Sequence, residues 1–142
     1  METKKNTRLG LCLQIAKFQT LLARRLDARL GGISFNELII LQIINHSPDK
    51  KIRRIDLAEK VGLTASGITR LLLPMEKIGL IEREKDDNDA RVSYVKIAPG
   101  GLTKLHEGLE RLEIYTEELI PENKIKKVSE ITKLLNELEK NI

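Results

Sequence analysis

The sequence holds a single cysteine, Cys12, no tryptophan, two phenylalanines, two tyrosines and no long unbroken apolar run. One cysteine excludes an intramolecular disulfide framework and fits a reducing compartment, so the cytoplasm is the expected location. Aromatics at 3% leave few platforms on which unpaired bases could stack, which disfavours a single-strand nucleic-acid binder, and they oblige the core to lean on Leu and Ile. The longest apolar segment, Leu38 to Ile44, is broken by Gln42 and is far too short to cross a bilayer, so no membrane partner is expected. The start, with Lys4, Lys5 and Arg8 ahead of Leu9 to Ile15, has the outline of a signal peptide. Gln14 and Lys17 interrupt its apolar body and Arg24 and Arg25 follow, so it is not read as one.

Signatures of catalysis are equally scarce. No Gly-rich phosphate loop follows a strand, no Cys/His or Ser/His pair stands in a motif, and the Glu residues between 107 and 122 recur as solvated charge on helix faces. His46 and His106 lie far apart with no cysteine beside either, so neither a metal site nor a cofactor is expected. The chain does not read as an enzyme.

What is present is a chain of 142 residues, enough for one core, with 32% charged residues and a net charge of +4. Residues 1–33 carry seven Lys/Arg against two Asp/Glu, residues 50–91 ten against eight, and residues 92–142 eight against nine. Basicity so diffuse is compatible with a polyanionic partner and does not name one.

Apolar periodicity gives the element order. Leu11, Ile15, Phe18, Leu22 and Leu26 form one stripe of a helix over residues 7–30, ended by Gly31 and Gly32. Ser34 and Glu37 form a capping box for a helix that runs to about Asn45, closed by Ser47 and Pro48. The basic stretch Lys50 to Arg54 leads into a short, poorly capped helix, Ile55 to Val61, ended by Gly62. Thr64 caps the next helix, whose expected buried stripe is Ile68, Leu71, Leu72, Met75 and Ile78, stopped by Gly79. Leu80 to Lys85 and Arg91 to Ile97 read as strands joined by the turn Asp86, Asp87, Asn88, Asp89. Two more helices follow, with stripes Leu102, Leu105, Leu109, Leu112, Tyr115 and, beyond Pro121, Ile125, Val128, Ile131, Leu135, Leu138.

The fold class expected is mainly α, within α+β. A single domain over residues 1–142 contains a winged helix-turn-helix lobe at 34–98, flanked by helical dimerisation regions at 7–30 and 99–141. In such a lobe the second helix of the pair enters a major groove and the hairpin reaches the adjoining minor groove or backbone. With the stripe turned inward, Thr64, Ala65, Ser66, Thr69 and Arg70 stand at the outer N-terminal face, and Gly67 permits close approach. Arg can bond guanine bidentately, Ser and Thr reach bases or phosphates, and Ala or a Thr methyl can pack on thymine. An ordinary solvated helix face is the bland alternative. Pro74 leaves the Arg70 carbonyl without its partner, and a kink is expected there.

Residues 34–101 resemble the MarR family of winged-helix regulators. The resemblance is carried by Leu57-Ala58, by the run Leu63 to Arg70, by Met75-Glu76-Lys77-Ile78-Gly79-Leu80-Ile81, and by Arg83 ahead of Asp89-Ala90-Arg91 in the wing. It is close over about half the chain and looser beyond. It implies that Arg91 enters a minor groove and that Asp89 orients it, a plain turn salt bridge being the alternative. Arg83, Lys85, Lys51, Arg53 and Arg54 are assigned to phosphates. The sequence departs from the family in Ala98, where a capping Thr is usual, in Gly100-Gly101, which weaken the first turn of the next helix, and in Ala90, which replaces a frequent basic residue.

Function then reads as a sequence-specific double-stranded DNA-binding transcriptional regulator, a ligand-responsive repressor acting as a homodimer on a pseudo-palindromic operator. Dimerisation is assigned to Leu11, Ile15, Leu105, Leu109, Leu112, Ile125, Val128, Ile131, Leu135 and Leu138, whose heptad-like spacing suits packing between chains. The resemblance also implies a cleft for a small-molecule effector between the dimer helices and the DNA-binding lobe. Two alternatives stand: a helical protein-interaction module without DNA binding, and a redox-sensing regulator using Cys12. That thiol lies on or beside an apolar stripe, and the simpler reading is a buried, inert side chain.

Overall fold

A computed structural model describes residues 3–142, so the expected domain of 1–142 begins two residues before it. The Thr3 hydroxyl accepts from the Asn6 backbone N–H at 3.2 Å and opens α1, Lys4–Asp27, three residues earlier than the apolar pattern indicates. Only the C-terminal end of α1 meets the core, through Leu26, with Leu30 in the turn that follows. Asp27 Oδ1 then accepts from the Phe35 N–H at 2.7 Å, which ties the end of α1 to the start of α2, Phe35–Asn45. The capping box is formed in full: Glu37 N–H donates to Ser34 Oγ at 3.1 Å and Ser34 N–H to Glu37 Oε1 at 2.9 Å. Leu38, Ile40, Leu41 and Ile44 of α2 are buried, which makes this helix the centre of the core.

A 3-10 turn at Pro48–Lys50 leads into β1, Lys51–Arg53, a strand within the basic stretch that the apolar pattern does not reveal. Three residues are too few for a visible alternation. The strand exists because β3, Ser93–Ile97, lies beside it antiparallel, with Ile52 opposite Val95 and both side chains buried. On its other side β3 pairs with β2, Ile81–Lys85, giving a three-stranded sheet in the order β1-β3-β2.

Between β1 and β2 run α3, Arg54–Val61, and α4, Ala65–Lys77. As expected, α3 starts without a side-chain cap. It ends at Gly62, φ 80°, a left-handed conformation that a side chain would strain, with Gly62 N–H bonded to the Glu59 carbonyl and Leu63 N–H to that of Ala58. That turn sets α4 at its angle to α3. The α4 helix stays unbroken across Pro74. Its buried stripe is Ile68, Leu72 and Met75, with Leu71 half-buried. Ile78 departs from the expectation and is 64% exposed, because as the C-cap it lies past the last residue that keeps the helical face toward the core.

From Pro99 to Leu119 runs α5, and after a 3-10 turn at Glu122–Lys124 comes α6, Ile125–Glu139. Ala98 caps α5 with no side-chain hydrogen bond, as its side chain dictates. The glycines that follow do more than loosen that junction. A Cβ on Gly101 would stand 2.0 Å from the Leu80 carbonyl oxygen and one on Gly100 3.0 Å from that of Gly79, so they let α5 press directly on the chain between α4 and β2. Leu105 corrects the interface assignment: it is fully buried in the protomer's own core and has no surface to offer a partner, while Leu109 and Leu112 are half-buried against that core. Cys12 corrects the expectation of burial, since it is exposed on α1. No described helix is long and apolar enough to cross a membrane.

Candidate nucleic-acid interface

The N-terminal end of α4 is built around Thr64, whose hydroxyl accepts from the Gly67 N–H at 3.1 Å and lies 3.3 Å from Ser66 Oγ. Ala65, Ser66 and Arg70 are exposed, Gly67 and Thr69 half-buried, and Ile68 fully buried behind them. The expected split is thus present, with a small, polar outer face seated on an apolar stripe. Such a first turn also presents unpaired backbone N–H groups and the positive end of the helix dipole, which favour an anion.

The hairpin tip, whose Arg91 borders Arg54 and Ile55 at the start of α3, is ordered by its acidic residues. Asp86 Oδ1 accepts from the N–H of Asn88 at 2.8 Å and of Asp89 at 3.2 Å, and Oδ2 accepts from the Tyr94 hydroxyl at 3.3 Å. These bonds, the Asn88 N–H foremost, hold the Asp86 carboxyl below the ordinary carboxylate value, against a smaller opposing effect of burial. A depressed carboxyl lends stability that is fully present above its unfolded value and lost as pH falls through the folded one, so the contribution of these bonds fades only below the ordinary carboxylate value. Asp89 Oδ1 in turn accepts from both the backbone N–H of Arg91 at 3.0 Å and its Nε at 3.2 Å. The Arg91 side chain is 92% exposed and its terminal nitrogens make no hydrogen bond among the described residues.

That tethering recurs. Arg53 is held through Nε by Asp56 at 3.0 Å, a bond that raises its pKa, and Arg83 through Nε by Glu76 at 2.7 Å. In each pair the carboxylate steers the guanidinium without capping its fork. Lys51 lies 3.4 Å from Glu84 and 4.8 Å from the Tyr94 ring centre. Lys85, at the outer end of β2, and Arg70 have no carboxylate within 4 Å among the described residues. Arg54 differs again: its Nη1 donates to Thr69 Oγ1 at 2.6 Å, joining the start of α3 to α4. The sequence pattern does not single out the acidic partners Asp56, Glu76 and Glu84. Asp56 has an i,i+3 signal, but Glu76 and Glu84 meet their cations only through tertiary structure. Ile55, 66% exposed beside Arg53, Arg54 and Arg91, was likewise expected only as part of a short helix.

Away from this face, α1 and α6 leave much apolar surface uncovered. Leu11, Ile15 and Phe18 are exposed at 41%, 40% and 50%, and Ile125 and Ile131 at 55% and 56%. Leu135 and Leu138 are exposed and Val128 half-buried, so α6 buries none of its residues. Between α1 and α5 opens a cleft of about 560 Å³ lined by Phe18, Leu22, Arg24, Arg25, Tyr115 and Leu119 among others. His46 and His106 are exposed, and no group of three metal-ligating side chains occurs among the described residues.

Residues 33–93 match the model of the MarR family, from just before α2 to the first residue of β3. An uncharacterised HTH-type transcriptional regulator, YdgJ, of Bacillus subtilis (strain 168) is 26% identical over 89 residues, 63% of this chain and 53% of that protein, so the match spans about half the length of that relative. The structure of the transcriptional regulator BldR from Sulfolobus solfataricus aligns with a TM-score of 0.85 and 27% identity over 99% of each chain. A mutant MarR from E. coli, solved in complex with operator DNA, aligns with a TM-score of 0.81 over 96% of this chain and 98% of that one, a likeness of fold at 21% identity.

Proposed function

We propose that this chain, whose residues 33–93 match the MarR family model, is a MarR-type homodimeric transcriptional regulator that binds double-stranded DNA by sequence and acts in the cytoplasm as a ligand-responsive repressor. The observation that carries the reading is a pair of exposed elements linked through Arg54, which bonds Thr69 of α4 and lines one cleft with Arg91 of the wing. The N-terminal face of α4 is polar and small, and Arg91 projects from a tip that five aspartate-centred hydrogen bonds keep in shape. A major groove accepts the helix, and a narrow minor groove, where negative potential is concentrated, accepts the arginine. Thr64, Ala65, Ser66, Gly67, Thr69 and Arg70 form the base-facing set, Arg83, Lys85, Asp89 and Arg91 the wing, and Lys51 and Arg53 phosphate contacts.

The partner of α1 and α6 is a second copy. Leu11, Ile15 and Phe18 of α1 and Ile125, Ile131, Leu135 and Leu138 of α6 are all exposed in the single chain, and each large apolar side chain gains about 1.5–3 kcal/mol when fully buried. A two-fold pair places two α4 helices in successive major grooves, so duplexes selected from random sequence should converge on an inverted repeat with half-sites about 10 base pairs apart. Convergence on nothing, or on an asymmetric single site, would contradict the reading. For the dimer, Ile131→Glu combined with Leu135→Glu is expected to convert a species of twice 16.1 kDa into one of 16.1 kDa in sedimentation. Unchanged mass for this variant would remove α6 from the interface. The cleft between α1 and α5, apolar with two arginines at its edge, suits a small organic anion, whose binding would change the span between the two lobes.

A further inference from the structure

The Thr69 hydroxyl is engaged twice inside the protein. It donates to the Ala65 carbonyl one turn back, at 2.9 Å, and accepts from Arg54 Nη1 at 2.6 Å. A hydroxyl has one proton, so Thr69 has no donor left for a base edge. Thr in a helix otherwise divides between two χ1 rotamers, and two bonds to Oγ1 select one of them, which also fixes the direction of the γ-methyl. Thr69 stays half-buried next to exposed Arg70 and borders a small cleft between α4 and the sheet, shared with Arg54 and Arg83.

We propose that Thr69 takes part in base selection through its γ-methyl, packing on the C5-methyl of thymine, and that Arg54 is the positioning residue that holds it in that rotamer. The proposal rests on the reading of the chain as a double-stranded DNA binder. It revises the assignment of Arg54 as a phosphate contact only. Arg53, Arg83 and Arg91 are each steered by a carboxylate, whereas Arg54 has none within 4 Å among the described residues and spends its charge-assisted bond on a neutral hydroxyl of the facing helix. Its remaining N–H groups stay available to the backbone.

The test uses a duplex selected by the full-length protein, in which thymines are replaced one at a time by uracil, a change that removes only the C5-methyl. For the wild type, one position in each half-site should lose about fourfold in affinity, the worth of one buried methyl-sized group. Thr69→Ser, which keeps the hydroxyl, should bind the thymine and uracil duplexes equally at that position. Thr69→Val, which keeps a methyl, should still discriminate. Arg54→Met, which keeps the aliphatic stem, should lessen the discrimination while the far-UV spectrum stays unchanged. A selected duplex at which uracil is neutral everywhere for the wild type overturns the proposal, as does full discrimination by Thr69→Ser or by Arg54→Met. Failure to select any duplex would instead sink the DNA-binding reading, and the proposal with it.

Discussion

Arg91→Ala is expected to weaken binding to a selected duplex by about tenfold to a hundredfold, the range of about 1.5–3 kcal/mol associated with hydrogen bonds made by a charged group. The effect should be large because nothing in the protein needs this side chain. It is 92% exposed, and its one side-chain bond, to Asp89, leaves the terminal nitrogens free. Its loss therefore leaves the fold alone and removes contact with DNA. The slope of log affinity against log salt should fall by about one, as one phosphate-compensating charge disappears. Arg91→Lys should restore that slope and only part of the affinity, since an ammonium lacks the planar fork. Asp89→Ala should cost less than Arg91→Ala, because it frees the guanidinium without removing it. Equal binding by wild type and Arg91→Ala, measured by fluorescence anisotropy at two salt concentrations, would remove the wing from the interface.

Gly101→Ala is expected to lower the unfolding free energy by about 3 kcal/mol, the upper end of the usual cost of forcing atoms into a filled site, or to prevent folding. A Cβ at this position would lie 2.0 Å from the Leu80 carbonyl oxygen and 2.9 Å from its carbon. Neither atom can retreat easily. The Leu80 N–H is bonded to the Met75 carbonyl at 2.9 Å, and the Leu80 carbonyl accepts from Ala98 N–H at 3.0 Å, so the contact joins the end of α4, the base of the hairpin and the start of α5. Gly100→Ala meets one backbone oxygen at 3.0 Å and should cost clearly less. Urea unfolding of both variants checks the order. An unchanged midpoint for Gly101→Ala would mean that α5 does not seat on this carbonyl. The junction also sets the wing's base against the terminal helices, so a folded Gly101→Ala should bind DNA more weakly.

The parts of this fold legible in the sequence are those fixed by local chemistry. Ser34 with Glu37 and Thr64 announce their helices because a cap is a contact between residues three apart, and the acidic hairpin turn is visible because Asp and Asn bond their own backbone. What was hidden depends on distant chain. Strand β1 is ordered by β3, some forty residues on, and Leu105 looked like a dimer residue because an inward face has the same spacing whether the neighbour is its own chain or another. Gly100 and Gly101 read as weak helix formers, which they are by propensity, while their use is the approach to Leu80. In the candidate interface, the exposed positions of α4 and the Asp89–Arg91 pair were readable from pattern and resemblance. The Arg54–Thr69 bond was not, since fifteen residues and a helix-turn-helix angle separate its partners.

The central claim is that the outer end of α4 and the arginine of the wing distinguish one double-stranded sequence from another. Its most direct measure is a ratio at fixed, near-physiological salt: the affinity for the selected inverted repeat divided by that for a duplex of the same composition in scrambled order. The account predicts a ratio of at least about a thousand, the low end for specific DNA-binding proteins. A ratio near one, with tight binding to both duplexes, would leave only electrostatic attraction to the backbone and contradict it.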